Sequence, residues 1–168
     1  MDRQAFSRMS YGLYVVGVQG EERLAGCVVD AVMQTTTEPP TLAYAAMKKN
    51  YTTSLLLPDT RFTISVLARN VDPFIVSDFG YQSARTAEKW AHVEHEMWNE
   101  LPIVSHQSAY LFAQVTEVKE LSSHMLIFAD IIDAKIGDDA PIIYADYLEN
   151  KKAEATAKFM AFKANLAK

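Results

Sequence analysis

Apolar residues in this chain fall mostly into short alternating or continuous runs, separated by polar clusters, which is the pattern of strands rather than of long amphipathic helices. Residues 12–19 (GLYVVGVQ) read as a strand, Gly20-Glu21-Glu22 as a turn, and residues 24–33 as the hairpin partner. Glu38-Pro39-Pro40 forces an extended break, because proline removes a backbone donor and restrains the residue before it. Residues 41–47 and 61–68 are predicted as the third and fourth strands, with a short helix over 52–57 ended by Pro58. A polar, glycine-containing stretch covers residues 78–90. Two long β-rich runs follow at 109–118 and 125–136, and then Pro141-Ile142-Ile143-Tyr144. Helical spacing shows in two places: Ala5, Phe6 and Met9 near the start, and Ala155, Phe159, Phe162 and Leu166 near the end.

Six or more strands joined by short helices and hairpins predict a closed or nearly closed antiparallel barrel, a mainly β fold. Strict βαβ alternation is missing, and no Gly-x-Gly-x-x-Gly occurs, so neither a doubly wound sheet nor its dinucleotide loop is expected. At 168 residues the chain suits one core, with residues 1–148 as the domain and 149–168 as a helical tail. The net charge of −5 argues against a nucleic-acid partner. It is also uneven. The last twenty residues hold five Lys against two Glu, leaving 11 basic against 19 acidic residues in the body. A tail of this kind is expected to pack on its own acidic body or on a second subunit rather than on a membrane. No run approaches the roughly 20 apolar residues of a membrane span, and the first residues do not form an apolar signal core. With a single cysteine, Cys27, no intrachain disulfide or Cys-based metal site is expected, and a reducing cytoplasm is the default location.

An anionic ligand on an acidic chain needs locally gathered positive charge, and Lys48-Lys49-Asn50-Tyr51-Thr52-Thr53 supplies it. Two ammonium groups, an amide and two hydroxyls stand where a strand hands over to a helix, whose first N–H groups favour anions. A solvated turn capped by Asn50 or Thr52 reads equally well from these residues. The strip from Asp30 to Thr37 (DAVMQTTT) offers hydroxyls and an amide suited to the heteroatom edge of a planar ligand, or simply an exposed Thr face. Residues 79–90 carry Arg85 and Lys89 four apart, as a functional loop or a salt-bridged helix start would. His92, His95 and Glu96 lack the second His of a zinc-protease helix, so no metal is expected there. His106 stands alone as a surface residue. His124 opens a strand, where a side chain can reach across a cleft mouth.

In this order and spacing the patches resemble the flavin reductase-like family with the FMN-binding split-barrel fold, closest to flavoredoxin and the flavin reductase domain of high-molecular-weight rubredoxins. The matching segments are Ser10-Tyr11-Gly12-Leu13-Tyr14-Val15-Val16, residues 26–40 (GCVVDAVMQTTTEPP), residues 48–53, Phe79-Gly80 with Ser83-Ala84-Arg85 and Lys89-Trp90, residues 124–134 (HMLIFADIIDA), and 141–144. The resemblance implies an antiparallel split β-barrel with short flanking helices and a C-terminal helix, and a homodimer with FMN at the interface. It implies that Lys48, Asn50, Thr52 and Thr53 meet the FMN phosphate. It implies that Asp30, Ala31, Gln34, Thr35 and Thr36 meet the ring, with contributions from Ser83, Arg85 and Lys89. His124 would sit on the nicotinamide side as the catalytic residue. NADH or NADPH would be the reductant, and the acceptor a rubredoxin or iron–sulfur protein in trans, since no four-Cys domain follows. The alternatives are an FMN carrier without NAD(P)H turnover and a non-catalytic split barrel binding haem or another ligand. Asp30 and Ser83-Ala84-Arg85-Thr86 depart from the family's usual Asn and Ser-Gly-Arg-Asp.

Overall fold

A computed structural model of the chain describes residues 1–166. In chain order the elements are β1 (Tyr14–Gln19), β2 (Leu24–Val29), β3 (Val32–Thr37), β4 (Pro40–Met47), α1 (Tyr51–Ser54), β5 (Arg61–Val66), α2 (Pro73–Tyr81), β6 (His95–Trp98), β7 (Leu101–Val104), β8 (Ala109–Glu120), β9 (His124–Ile136), α3 (Tyr144–Asn150) and α4 (Lys152–Leu166). Seven strands form one antiparallel sheet in the order β2-β1-β5-β8-β9-β4-β3, and β6 and β7 form a separate hairpin.

The two edges of the large sheet, β2 and β3, are consecutive in the chain with only Asp30 and Ala31 between them. The sheet must therefore curl until its edges approach. The Ala45 N–H donates to the Ala31 carbonyl at 3.1 Å and ties the junction to β4. Register shifts in β8–β9, at Phe112/Ala113 and Val115/Glu117, supply the local bend that such curling requires. The product is a split barrel, open along the β2–β3 seam.

Side-chain alternation then sorts the core into layers. Val16, Cys27, Leu42, Tyr44, Phe62, Ile64, Ala113 and Ile127 fill the barrel. Val15, on the other face of β1, packs outward with Val76, Phe79, Trp90, Ile142 and Tyr147 beneath the helices. Trp98, Leu101 and Ile103 of the hairpin cover Tyr110 and Phe112.

The expected single strand over residues 24–33 is two strands. Pairing with β1 is exhausted at Tyr14↔Val29, and the chain turns at the seam so that Val32 faces Tyr44 of β4. The predicted helix at the start is a 3-10 helix (Arg3–Arg8), with Phe6 and Met9 each 56% exposed, so its apolar spacing finds no core. Residues 141–143 make isolated bridges, Ala68↔Pro141 and Gly12↔Ile143, and Tyr144 already begins α3. Helix α2 was not predicted, although Asp72-Pro73 is a helix-start signal: the Asp72 carboxylate accepts the Phe74 N–H at 2.9 Å.

The tail forms α4 and lies on α2. Ala155 and Phe159 are buried and Phe162 half-buried, while Leu166 is exposed. Phe162 meets Phe74 edge-on at 5.1 Å, Phe159 meets Tyr81 at 5.5 Å, and Lys158 bridges Asp72 and Glu154, each at 3.0 Å. The positive tail is thus held partly by the acidic body. No helix among the described residues is long and apolar enough to cross a membrane.

Candidate functional site

A cavity of about 580 Å³ opens where the end of β2, the α1 corner, the end of α2 and α3–α4 converge. Cys27, Val29 and Asp30 come from the β2 wall, and Lys49, Asn50, Tyr51 and Thr52 from the α1 corner. Phe79, Tyr81, Gln82, Ser83 and Lys89 come from α2 and the stretch after it, and Tyr144, Tyr147, Leu148 and Lys152 from the C-terminal wall. Three lysines against one aspartate line this space, in a chain whose net charge is −5. The imbalance favours an anion.

The α1 corner is built for a polar ligand. Asn50 is the N-cap of α1, yet its side chain makes no capping hydrogen bond. Thr52 and Thr53 are 2% and 6% exposed. The Thr53 Oγ1 is buried without a hydrogen-bond partner among the described residues, an arrangement that costs stability unless something pairs with it. Because α1 is only four residues long, its dipole is small. The donors of this corner are side chains rather than a helix field.

At the cavity floor, burial pushes the Cys27 thiol up to about 11, against the opposing effects of Lys89, Thr52 and Asn50. A thiol so protonated is inert, as expected of a structural cysteine. Lys89 is 2% exposed, and its Nζ donates to the carbonyls of Phe79 (3.0 Å) and Gly26 (3.1 Å). It ties the end of α2 to β2. Burial lowers its ammonium to about 8, with Cys27 and Asp78 acting the other way. Gly26 is required at this crossing, since a Cβ would lie 2.8 Å from the Val16 carbonyl and from Phe79 Cε1. Behind Lys89, the fully buried Asp78 carboxylate accepts from Gln82 and meets His92 Nδ1 at 3.2 Å. Burial raises its pKa, while His92, Lys89 and Gln82 oppose that rise.

The fold brings Asp30, Asn50, Thr52, Ser83 and Lys89 of the expected site into one cavity wall. Other expected residues stand outside that lining. Lys48 is ion-paired with Glu120, and Lys49 is the lysine of the pair that lines the cavity. Arg85 is exposed and lies over the Tyr51 ring, 4.5 Å from its centroid, close behind the α1 corner. It shares no helix with Lys89, because residues 83–88 are not helical. Ala31 sits at the seam. Thr35 and Thr36 bond the Thr41 hydroxyl at 2.6 Å on the exposed edge strand. Gln34 lines a separate groove of about 440 Å³ with Tyr14, Met33 and Ile132. His124 pairs in register with Met47, a cavity residue, and its Nδ1 meets Ser123 Oγ at 2.8 Å; the ring itself is outside the lining.

Lys49 belonged to the basic patch read from the sequence, though the resemblance gave it no role; Tyr51, Tyr81, Tyr144, Tyr147 and Lys152 had no expected role in the site. Tyr144 and Tyr147 are three apart on α3, a spacing visible in the sequence once residues 144–150 are read as helix.

The model of the flavin reductase like domain matches residues 6–149. The chain belongs to the flavin reductase-like family. By family it is a flavin-related oxidoreductase, and α4 lies beyond the matched segment. Among characterised relatives, a high molecular weight rubredoxin of Moorella thermoacetica is 32% identical over 155 residues, covering 90% of this chain and 68% of that protein. A ferric-chelate reductase (NAD(P)H) of Archaeoglobus fulgidus is 31% identical over 157 residues, covering 92% and 93%. The crystal structure of an FMN-binding protein from Thermus thermophilus superposes with a TM-score of 0.72 at 22% identity, covering 82% of this chain and 83% of that one. That likeness establishes the split-barrel fold.

Proposed function

We propose that the chain is an NAD(P)H-dependent oxidoreductase that holds FMN in the cavity between α1, α2 and α3. The observation that carries this reading is the α1 corner: Lys49, Asn50 and Thr52 gather polar donors at one end of a cavity with excess positive charge. Such a corner fits a phosphate dianion, and the unpartnered Thr53 hydroxyl fits a site completed by a ligand. Lys48, Thr53 and Arg85 stand immediately beside it. The aromatic and apolar walls, Phe79, Tyr81, Tyr144 and Val29, suit a planar ring, with Asp30 and Ser83 as polar contacts at its edge.

FMN, when bound, supplies hydride acceptance and onward electron delivery; the protein supplies binding, orientation and electrostatics. In this reading Lys89 places a cation beneath the cavity without touching solvent, and the side chains of α2 and α3 exclude water from it. His124 borders the mouth through Met47, and its role is to shape the approach of the nicotinamide. Gln34, Thr35 and Thr36 lie on the edge strand β3 beside exposed Met33 (64%) and Ile132 (50%). An exposed apolar edge of this kind suits a two-fold partner. In a homodimer the strip would then reach the partner's cofactor.

A reading as a pure electron carrier draws on the acidic body and on the rubredoxin relative, and a rubredoxin or iron–sulfur acceptor in trans is compatible with either reading. Anaerobic addition of NADH or NADPH to the purified, FMN-loaded protein separates the two. Absorbance at about 370 and 450 nm that bleaches rapidly supports the oxidoreductase. Bands that persist until a protein reductant is added support the carrier, and failure to hold FMN defeats both.

A further inference from the structure

The phosphate corner leaves one cation of the cavity unassigned. Lys152, the first residue of α4, lines the cavity from the C-terminal wall with Tyr144, Tyr147 and Leu148, on a different element from Lys49, Asn50 and Thr52. Two other lysines of this segment are committed. Lys158 bridges Asp72 and Glu154, and the Lys151 Nζ reaches the Val71 carbonyl at 3.4 Å. The Lys152 ammonium has no acidic or hydrogen-bonding partner among the described residues, and neither does that of Lys163; both are exposed on the same helix, but Lys163 does not line the cavity.

Its position is also firmly held. Ala155, one turn on, is fully buried, Phe159 packs edge-on against Tyr81, and the hydroxyls of Tyr81 and Thr156 lie 3.1 Å apart. Beside Lys152 the rings of Tyr144 and Tyr147 are nearly parallel, 13° apart with centroids separated by 6.2 Å. Both line the cavity; Tyr147 is 4% exposed and Tyr144 half-buried, so Tyr144 is the more accessible ring.

Hydride transfer requires two phosphate-bearing ligands in one cavity, with the reacting atoms about 3–3.5 Å apart. A single mononucleotide phosphate is met by the α1 corner. A second, unpaired cation on another wall, next to an accessible aromatic face, fits the phosphates and a ring of the second ligand. We propose that Lys152 and Tyr144 form the subsite for the phosphate portion of the reducing nicotinamide dinucleotide. The inference rests on the proposed function and adds to it a residue beyond the matched family segment.

The test uses the full chain loaded with FMN in its oxidised form, titrated calorimetrically with NADP⁺ and with NAD⁺, so that no turnover enters the measurement. The variants are Lys152→Glu, Lys152→Arg, and Lys163→Glu as a matched charge change on the same helix. Lys152→Glu is expected to weaken dinucleotide binding about tenfold, and Lys152→Arg and Lys163→Glu to leave it within about twofold. FMN affinity should fall far less than dinucleotide affinity in Lys152→Glu, and stay unchanged in Lys152→Arg and Lys163→Glu. A loss confined to NADP⁺ assigns the contact to the 2′-phosphate, and a loss for both dinucleotides assigns it to the pyrophosphate. Unchanged dinucleotide binding in Lys152→Glu overturns the subsite. So does an equal loss in Lys163→Glu, which would report only a long-range field, and so does a parallel loss of FMN. Wild-type protein that binds no FMN defeats the proposed function itself, and with it the subsite.

Discussion

Replacing Lys89 by methionine removes the ammonium that ties Phe79 of α2 to Gly26 of β2 while keeping most of the side chain's volume. Two hydrogen bonds from a charged donor contribute about 1.5–3 kcal/mol each. Against them stands the cost of burying the charge: a fall from 10.5 to about 8 corresponds to about 3 kcal/mol. At pH 7 the variant should therefore be less stable than wild type by about 0–3 kcal/mol. The pH dependence is the sharper test. Between about 8 and 10.5 the folded protein has released a proton that the unfolded chain still holds. The unfolded state binds more protons, so Lys89 makes wild-type stability rise with pH across that window, by at most about 1.4 kcal/mol per unit. The methionine variant has no such contribution. The gap between the two proteins should widen by about 2 kcal/mol from pH 7 to 9.5, read by urea unfolding followed through Trp90 and Trp98 fluorescence. A constant gap would mean that the ammonium keeps its ordinary pKa, and the buried clamp at the cavity floor would be refuted.

Other consequences follow from the same structure. Phe159→Ala empties the contact between α4 and Tyr81 and should cost about 3 kcal/mol, seen as a lower Tm; a change below about 0.5 kcal/mol would show that α4 is not docked on α2. The Cys27 thiol, 5% exposed with its pKa pushed up to about 11, should resist iodoacetamide at pH 7.5 in native protein and react fully in urea. Equal rates in the two states would place the thiol outside the cavity floor. Met33→Glu on the exposed edge strand should shift a dimer toward monomer in light scattering, and an unchanged mass would remove β3 from the interface.

The strands of the barrel were legible where alternation met turn residues: β1, β4, β5, β8 and β9 all fall within or close to the predicted runs. The seam was not, because Val28-Val29-Asp30-Ala31-Val32-Met33 carries no Gly or Pro and its apolar run continues through the turn. Only the finite length of β1 ends that pairing, and strand length is a tertiary quantity. Pro141-Ile142-Ile143-Tyr144 has β-branched composition yet forms bridges before a helix, since α3 gains more by burying Tyr147. Part of the site was visible as Lys48–Thr53, where polar groups cluster as a strand hands over to a helix, although a solvated turn accounted for them equally well. Lys89 read as part of a functional loop or a salt-bridged helix start, and only the resemblance set it beside the flavin, because a lysine in a polar stretch gives no sign of burial. The C-terminal wall was hidden for another reason. Tyr144, Tyr147 and Lys152 meet the cavity only after α3 is helical and α4 is pinned to α2.

The central claim concerns the phosphate corner, and comparing FMN with riboflavin isolates it, because the two differ only by the phosphate. Equilibrium titration of the apoprotein by flavin fluorescence should give FMN an affinity at least about 100-fold above that of riboflavin. Asn50→Ala combined with Thr52→Ala should erase most of that difference while leaving riboflavin binding in place. Equal binding of the two flavins by wild type, or a preference that survives the double substitution, would contradict the assignment of the α1 corner.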